Sequence, residues 1–287
     1  MAFTTLIDVS SLRLLQLDPT IAVIDCRFDL AQPEAGRRAF LDAHIPGARY
    51  ADLNKDLSAS VTASSGRHPL PAPRDFAATL EKLGIGDDTQ VIAYDDANGS
   101  FAARLWWMLR WLGHASAGVL DGGFKAWRSA GGPLESGPER PLPRTVHFSP
   151  RVDASAVIAT ADVAEWLRDT DKLLVDARAA ERFAGSIEPI DPVAGHIPGA
   201  VNQPFSLNLD ADGRFLPAPE LKRRWQERLG GAESRNMAAM CGSGVTACHN
   251  LLSLEVAGLP GAKLYAGSWS EWIKDPARPT ARGVEDG

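Results

Sequence analysis

Apolar residues along the chain fall into two kinds of run. Short runs rich in β-branched and small apolar residues occur as "IAVIDC" at 21–26, "TQVIAY" at 89–94, "KLLVDA" at 172–177 and "NMAAMC" at 236–241. They are too short for ordinary helices and predict buried strands. Longer segments, "SFAARLWWMLRWLG" at 100–113 and "TACHNLLSLEVAG" at 246–258, place apolar residues at helical spacing and stop at Gly113 and Gly258, where helices commonly end. Strand and helix alternate, which predicts an α/β fold with a parallel sheet flanked by helices. In such sheets, sites form in the loops at the carboxyl ends of strands.

The pattern occurs twice. "AVIDCRF" at 22–28 resembles "LLVDARA" at 173–179, which sets Asp25 against Asp176 at an offset of 151. "AHIPGA" at 43–48 resembles "GHIPGA" at 195–200, with His44 and His196 offset by 152. "LDGGFKAW" at 120–127 resembles "YAGSWSEW" at 265–272, with Trp127 and Trp272 offset by 145. Three landmarks in one order predict tandem copies of one domain. The Pro- and Gly-rich stretch at 131–150 reads as the join. The expected division is a first domain at 1–138, a linker at 139–150 and a second domain at 151–287.

The 287 residues are 45% hydrophobic and 23% charged, with a net charge of −6. This composition is that of a globular protein and argues against a nucleic-acid partner, which recruits a basic face. The start "MAFTTLIDVSSLRLLQLDP" has no basic segment followed by a long apolar core, and no apolar run approaches a membrane span, so neither signal peptide nor membrane partner is expected. Three cysteines, Cys26, Cys241 and Cys248, form neither a disulfide framework nor a zinc-spaced cluster. A reducing cytoplasm, no metal and no cofactor are the expectation.

Cys241 opens "CGSGVT" after a predicted strand and before a predicted helix. Gly242 and Gly244 allow the backbone N–H groups of Gly242, Val245 and Thr246 to turn inward, and the helix adds its positive end. A thiol in that cup is suited to carry negative charge through a reaction. The loop alone is equally compatible with a buried cysteine beside a tight turn. Phosphate-ester chemistry of the C-x5-R type is excluded by Ala247, which occupies the arginine position.

The tandem repeat, "HIPGA" in each half and a cysteine loop only in the second half together resemble the two-domain rhodanese-type sulfurtransferases, over about residues 5 to 275. "CGSGVTA" is similar to the 3-mercaptopyruvate branch of that family. The resemblance implies tandem rhodanese-like domains, an inactive first copy, a catalytic second copy and a site between them. Asp95 stands where Cys241 lies in the second copy, and is expected to be structural. The resemblance implies substrate binding by Arg182, whose planar fork suits a carboxylate. The family's second arginine, in an E-P-R stretch, is Ile190 here. Ser243 and His68 match a serine and histidine near the cysteine, and Asn54, close to Asp52, fills the acidic position. Arg67, adjoining His68, is a further candidate for an anion contact. Arg178 and the histidines His44 and His196 repeat in both halves, Arg178 as Arg27, and are therefore read as structural. Cys26 and Cys248 are read as core.

The reading is sulfur transfer through a Cys241 persulfide, from 3-mercaptopyruvate to a thiol such as thioredoxin, a small thiol or cyanide. Thiosulfate as donor is the alternative: the missing arginine favours it and the uncharged loop opposes it. A sulfur-carrying or redox-sensing protein without turnover is a third possibility.

Overall fold

A computed structural model describes residues 2–15, 18–142 and 145–283 and separates into two compact units. The first comprises residues 1–59, 70–153 and 212–214, and the second 60–69, 154–211 and 215–287.

In the first unit, strands β1 (Leu6–Ile7), β2 (Ile21–Asp25), β3 (Arg49–Tyr50), β4 (Gln90–Tyr94) and β5 (Ala117–Leu120) alternate with helices α1 (Val9–Leu15), α2 (Ala35–Asp42), α3 (Pro73–Lys82), α4 (Ala102–Trp111) and α5 (Gly123–Ser129). The sheet is parallel, in the order β1-β5-β4-β2-β3. Central strand β4 is almost wholly buried, as its unbroken apolar run requires. Trp127, Phe40, Tyr94 and Leu12 fill the layer against the sheet.

The second unit repeats this plan with β6 (Leu173–Asp176), β7 (Val201–Asn202), β8 (Met237–Met240) and β9 (Lys263–Leu264), and with α6 (Thr160–Trp166), α7 (Ala180–Phe183), α8 (Ala218–Leu229), α9 (Thr246–Val256) and α10 (Ser268–Trp272). Its parallel order is β7-β6-β8-β9, and a parallel bridge from Val157 to Leu264 stands where β1 pairs with β5 in the first unit. Trp269, Trp272, Phe183 and Tyr265 pack its core.

The repeated landmarks hold the same places in both units. Arg27 donates to both carboxylate oxygens of Asp25 and to the Ala43 carbonyl, and Arg178 does the same to Asp176 and the Gly195 carbonyl. These buried, charge-assisted forks tie a strand end to the following loop. His44 pairs through Nδ1 with the Phe40 carbonyl and stacks on that ring at 3.9 Å; His196 does so with Phe183 at the same spacing.

Two segments depart from a simple division of the chain. The described residues of 139–150, which composition reads as linker, belong to the first unit: Glu139 pairs with Arg37, and Ser149 bonds through N and Oγ to Asp87. Residues 60–69 belong to the second unit, because Arg67 donates its backbone N–H to Ser270 Oγ and His68 bonds to Ser243.

Candidate active site

Cys241 follows directly on β8 and is 2% exposed. Its own N–H donates to Ser268 Oγ at 3.0 Å, and its carbonyl accepts from Trp269 N. The loop then turns into α9. Gly244 has φ +77°, and a Cβ there would meet the Ala266 carbonyl oxygen at 2.5 Å, so both conformation and space demand glycine. At Gly242 a Cβ would come within 2.7 Å of Arg67 Nη2 and 3.5 Å of Arg182 Nη1, so both guanidinium groups lie against the loop. Among the described residues, the N–H groups of Gly242, Ser243, Val245 and Thr246 have no acceptor.

The first unit shows what such a loop does when it holds its own anion. Asp95 follows β4 as Cys241 follows β8, and its buried carboxylate accepts the N–H groups of Ala97, Gly99, Phe101 and Ala102 at 2.8–2.9 Å. Burial raises its pKa and the four donors oppose that shift. Around Cys241 the N–H groups named above stay open instead of being taken by an anion of the loop itself.

Both arginines at Gly242 are held by acids. Arg182, on α7, donates through Nε and Nη2 to Glu188 and through Nη2 to Asp191 at 3.0 Å. Arg67 pairs with the other Asp191 oxygen. Asp191 thus spaces the two guanidinium groups. Burial pushes its pKa up, with Arg67 opposing, Glu188 reinforcing and Arg182 opposing. Burial also acts to raise Glu188, but the bonds from Arg182 and from the N–H groups of Asp191 and Ile190 outweigh it and hold Glu188 below its usual value. Arg67 Nε is buried with no partner among the described residues. Such an orphaned donor costs about 1–3 kcal/mol until an acceptor arrives.

His68 Nδ1 lies 2.7 Å from Ser243 Oγ, and both side chains are buried. Asn54 is exposed, and the Asp52 carboxylate caps its own turn by accepting the N–H groups of Asn54 and Lys55. Ile190 is 43% exposed. Cys26 and Cys248 are buried; burial, then Asp25, pushes the Cys26 thiol well above its ordinary range, and Cys248 Sγ contacts the Gly244 carbonyl at 3.3 Å.

Sequence reasoning missed Ser268, Asp191 and Glu188. Ser268 has φ +53°, where the corresponding Gly123 has +58°. The repeat carried that signal, since "GGF" in the first copy reads "GSW" in the second. A non-glycine residue held there is strained, and its hydroxyl bridges the Cys241 N–H and the Tyr265 carbonyl. Nothing in the irregular stretch 182–196 marks Glu188 and Asp191 as arginine partners.

A model of the rhodanese-like domain matches residues 8–130 and again 159–275. The chain is 51% identical over 268 residues to a probable 3-mercaptopyruvate sulfurtransferase of Pseudomonas aeruginosa, covering 93% of this chain and 94% of that one. It is 37% identical over 268 residues to a thiosulfate sulfurtransferase of Cricetulus griseus, covering 92% and 88%. The solved structure of 3-mercaptopyruvate sulfurtransferase from Leishmania major matches with a TM-score of 0.83 at 33% identity, over 96% of this chain and 75% of that one. Two matched domains, parallel sheets in the same strand plan and a cysteine loop in the second copy alone agree with these likenesses: the chain belongs to the rhodanese family and is one of its two-domain sulfurtransferases.

Proposed function

We propose that this sulfurtransferase takes sulfur from 3-mercaptopyruvate onto Cys241 and passes it to a thiol acceptor or cyanide. The Cys241 thiolate attacks the donor sulfur. The sulfur–carbon bond breaks, its electron pair leaves with the pyruvate enolate, and Cys241 holds the transferred sulfur as a persulfide. Open N–H groups of the loop receive the negative charge on sulfur, as their counterparts receive Asp95. Ser243, coupled to His68, delivers a proton to the enolate carbon. An acceptor thiolate or cyanide then attacks the outer sulfur and releases the Cys241 thiolate, completing ping-pong catalysis. Arg182 and Arg67 hold the donor carboxylate.

The observation that carries this reading is the pair of guanidinium groups at Gly242, one residue from the thiol. Arg67 supplies the second cation that Ile190 does not. The charge balance favours the monoanionic donor over thiosulfate. Arg67, Arg178 and Arg182 are matched by Asp176, Glu188 and Asp191, so a dianion would meet no excess positive charge. Steady-state kinetics with each donor test it: kcat/KM should be greater for 3-mercaptopyruvate. A greater value for thiosulfate would reject the donor assignment while leaving sulfur transfer in place.

A further inference from the structure

The first unit carries no thiol at its loop, yet it keeps an open cavity of about 450 Å³ there, lined by Arg27, Asp96, Phe124, Lys125, Arg128 and Ser129. Asp95 has taken the loop N–H groups, so anything bound in this cavity must be recognised by side chains. Arg27 is only 4% exposed and lies 4.2 Å over the Phe124 ring. Its Nε and Nη2 are spent on Asp25 and the Ala43 carbonyl, while Nη1 has no partner among the described residues. The second unit provides the contrast: there Arg178 Nη1 is answered by Glu188 at 3.4 Å. Lys125 and Arg128 are exposed at the cavity, and neither side chain has an ion-pair partner among the described residues.

We propose that this cavity in the first unit is a second ligand site, for a tetrahedral oxyanion of the sulfate, thiosulfate or phosphate class. Arg27 is paired with Asp25, so the cations of the lining without an ion-pair partner among the described residues are Lys125 and Arg128, against Asp96, and this net positive lining favours an anion. Arg27 offers the N–H groups of Nη1 alone and so presents no two-nitrogen fork to a planar carboxylate. Lys125 and Arg128 are separate charges that can meet oxygens pointing in other directions. The cavity is larger than a bare oxyanion, so a small organic body on the anion is accommodated as well.

The test is calorimetric titration of the full-length protein with sulfate and, separately, phosphate, with ionic strength held constant by sodium chloride. Saturable binding of both is expected, and the tighter of the two identifies which oxyanion the site prefers. The exposed pair Lys125→Glu and Arg128→Glu together should weaken binding at least about tenfold, with kcat for 3-mercaptopyruvate retained as evidence of folding. Arg182→Ala should leave the titration unchanged. No saturable binding, equal binding of acetate, unchanged affinity in the charge-reversed protein or loss of binding in Arg182→Ala would each overturn the proposal.

Discussion

Replacing Arg67 by alanine removes the guanidinium that stands in for the arginine missing at Ile190. A charge-assisted contact to a carboxylate contributes about 1.5–3 kcal/mol, and about 1.4 kcal/mol corresponds to a factor of ten in kcat/KM. Two features of the structure place the effect toward the lower end. The Arg67 side chain is 27% exposed, and Asp191 already offsets its charge. Arg67→Ala is therefore expected to lower kcat/KM for 3-mercaptopyruvate by about tenfold to thirtyfold. Arg67→Lys keeps a charge but loses the fork, and should fall between the two. The assay is steady-state turnover with cyanide as acceptor, with thermal unfolding run alongside to confirm a folded protein. If both variants stay within about twofold of the parent, Arg67 does not hold the donor, and the argument that it compensates for Ile190 fails.

Other outcomes follow from neighbouring groups. Ser243→Ala should lower kcat with 3-mercaptopyruvate by about a hundredfold, a typical loss for a positioned proton donor, and affect thiosulfate turnover far less, because sulfite leaves without protonation at carbon; equal losses with both donors would refute the proton-delivery role. Asp95→Ala strands four backbone N–H groups in the first unit and should cost about 3 kcal/mol or more in urea unfolding; a change below about 1 kcal/mol would mean the loop does not depend on its own anion. His114 is buried, and burial lowers its pKa from 6.5 despite its bond to the Thr89 carbonyl. Its unfolded form therefore takes up a proton first as pH falls below 6.5, so it contributes stability that is present above that pH and is lost below it, by at most about 1.4 kcal/mol per pH unit. His114→Gln should flatten that dependence, and an unchanged slope would assign it to other groups.

The elements that the sequence marked most clearly are those whose pattern is local. The runs at 21–26, 89–94, 172–177 and 236–241 became strands because each is mostly apolar and largely buried within a parallel sheet. Repetition separated shared structural roles from unshared ones: Arg178 and His196 have counterparts that make the same bonds, whereas Cys241 has none. The arginine–acid lattice was not legible. Arg67 and Asp191 are 124 residues apart, and neither lies in a periodic segment. Composition also reads residues 139–150 as a linker, because their prolines hide the ion pair of Glu139 and the hydrogen bond of Ser149 that fasten them. In the first copy Asp95 stands at the position of Cys241, but that its carboxylate accepts the N–H groups of Ala97, Gly99, Phe101 and Ala102 depends on the conformation of the whole loop and has no local sequence pattern.

The central claim, that Cys241 alone carries the transferred sulfur, is tested most directly by mass spectrometry of the protein after incubation with 3-mercaptopyruvate and no acceptor. The intact protein should gain the mass of one sulfur atom, the gain should map to the peptide containing Cys241, and cyanide should remove it. Cys241→Ser should gain nothing, while Cys26→Ala and Cys248→Ala should gain sulfur as the parent does. Sulfur found on Cys26 or Cys248, or retained by Cys241→Ser, would contradict the account.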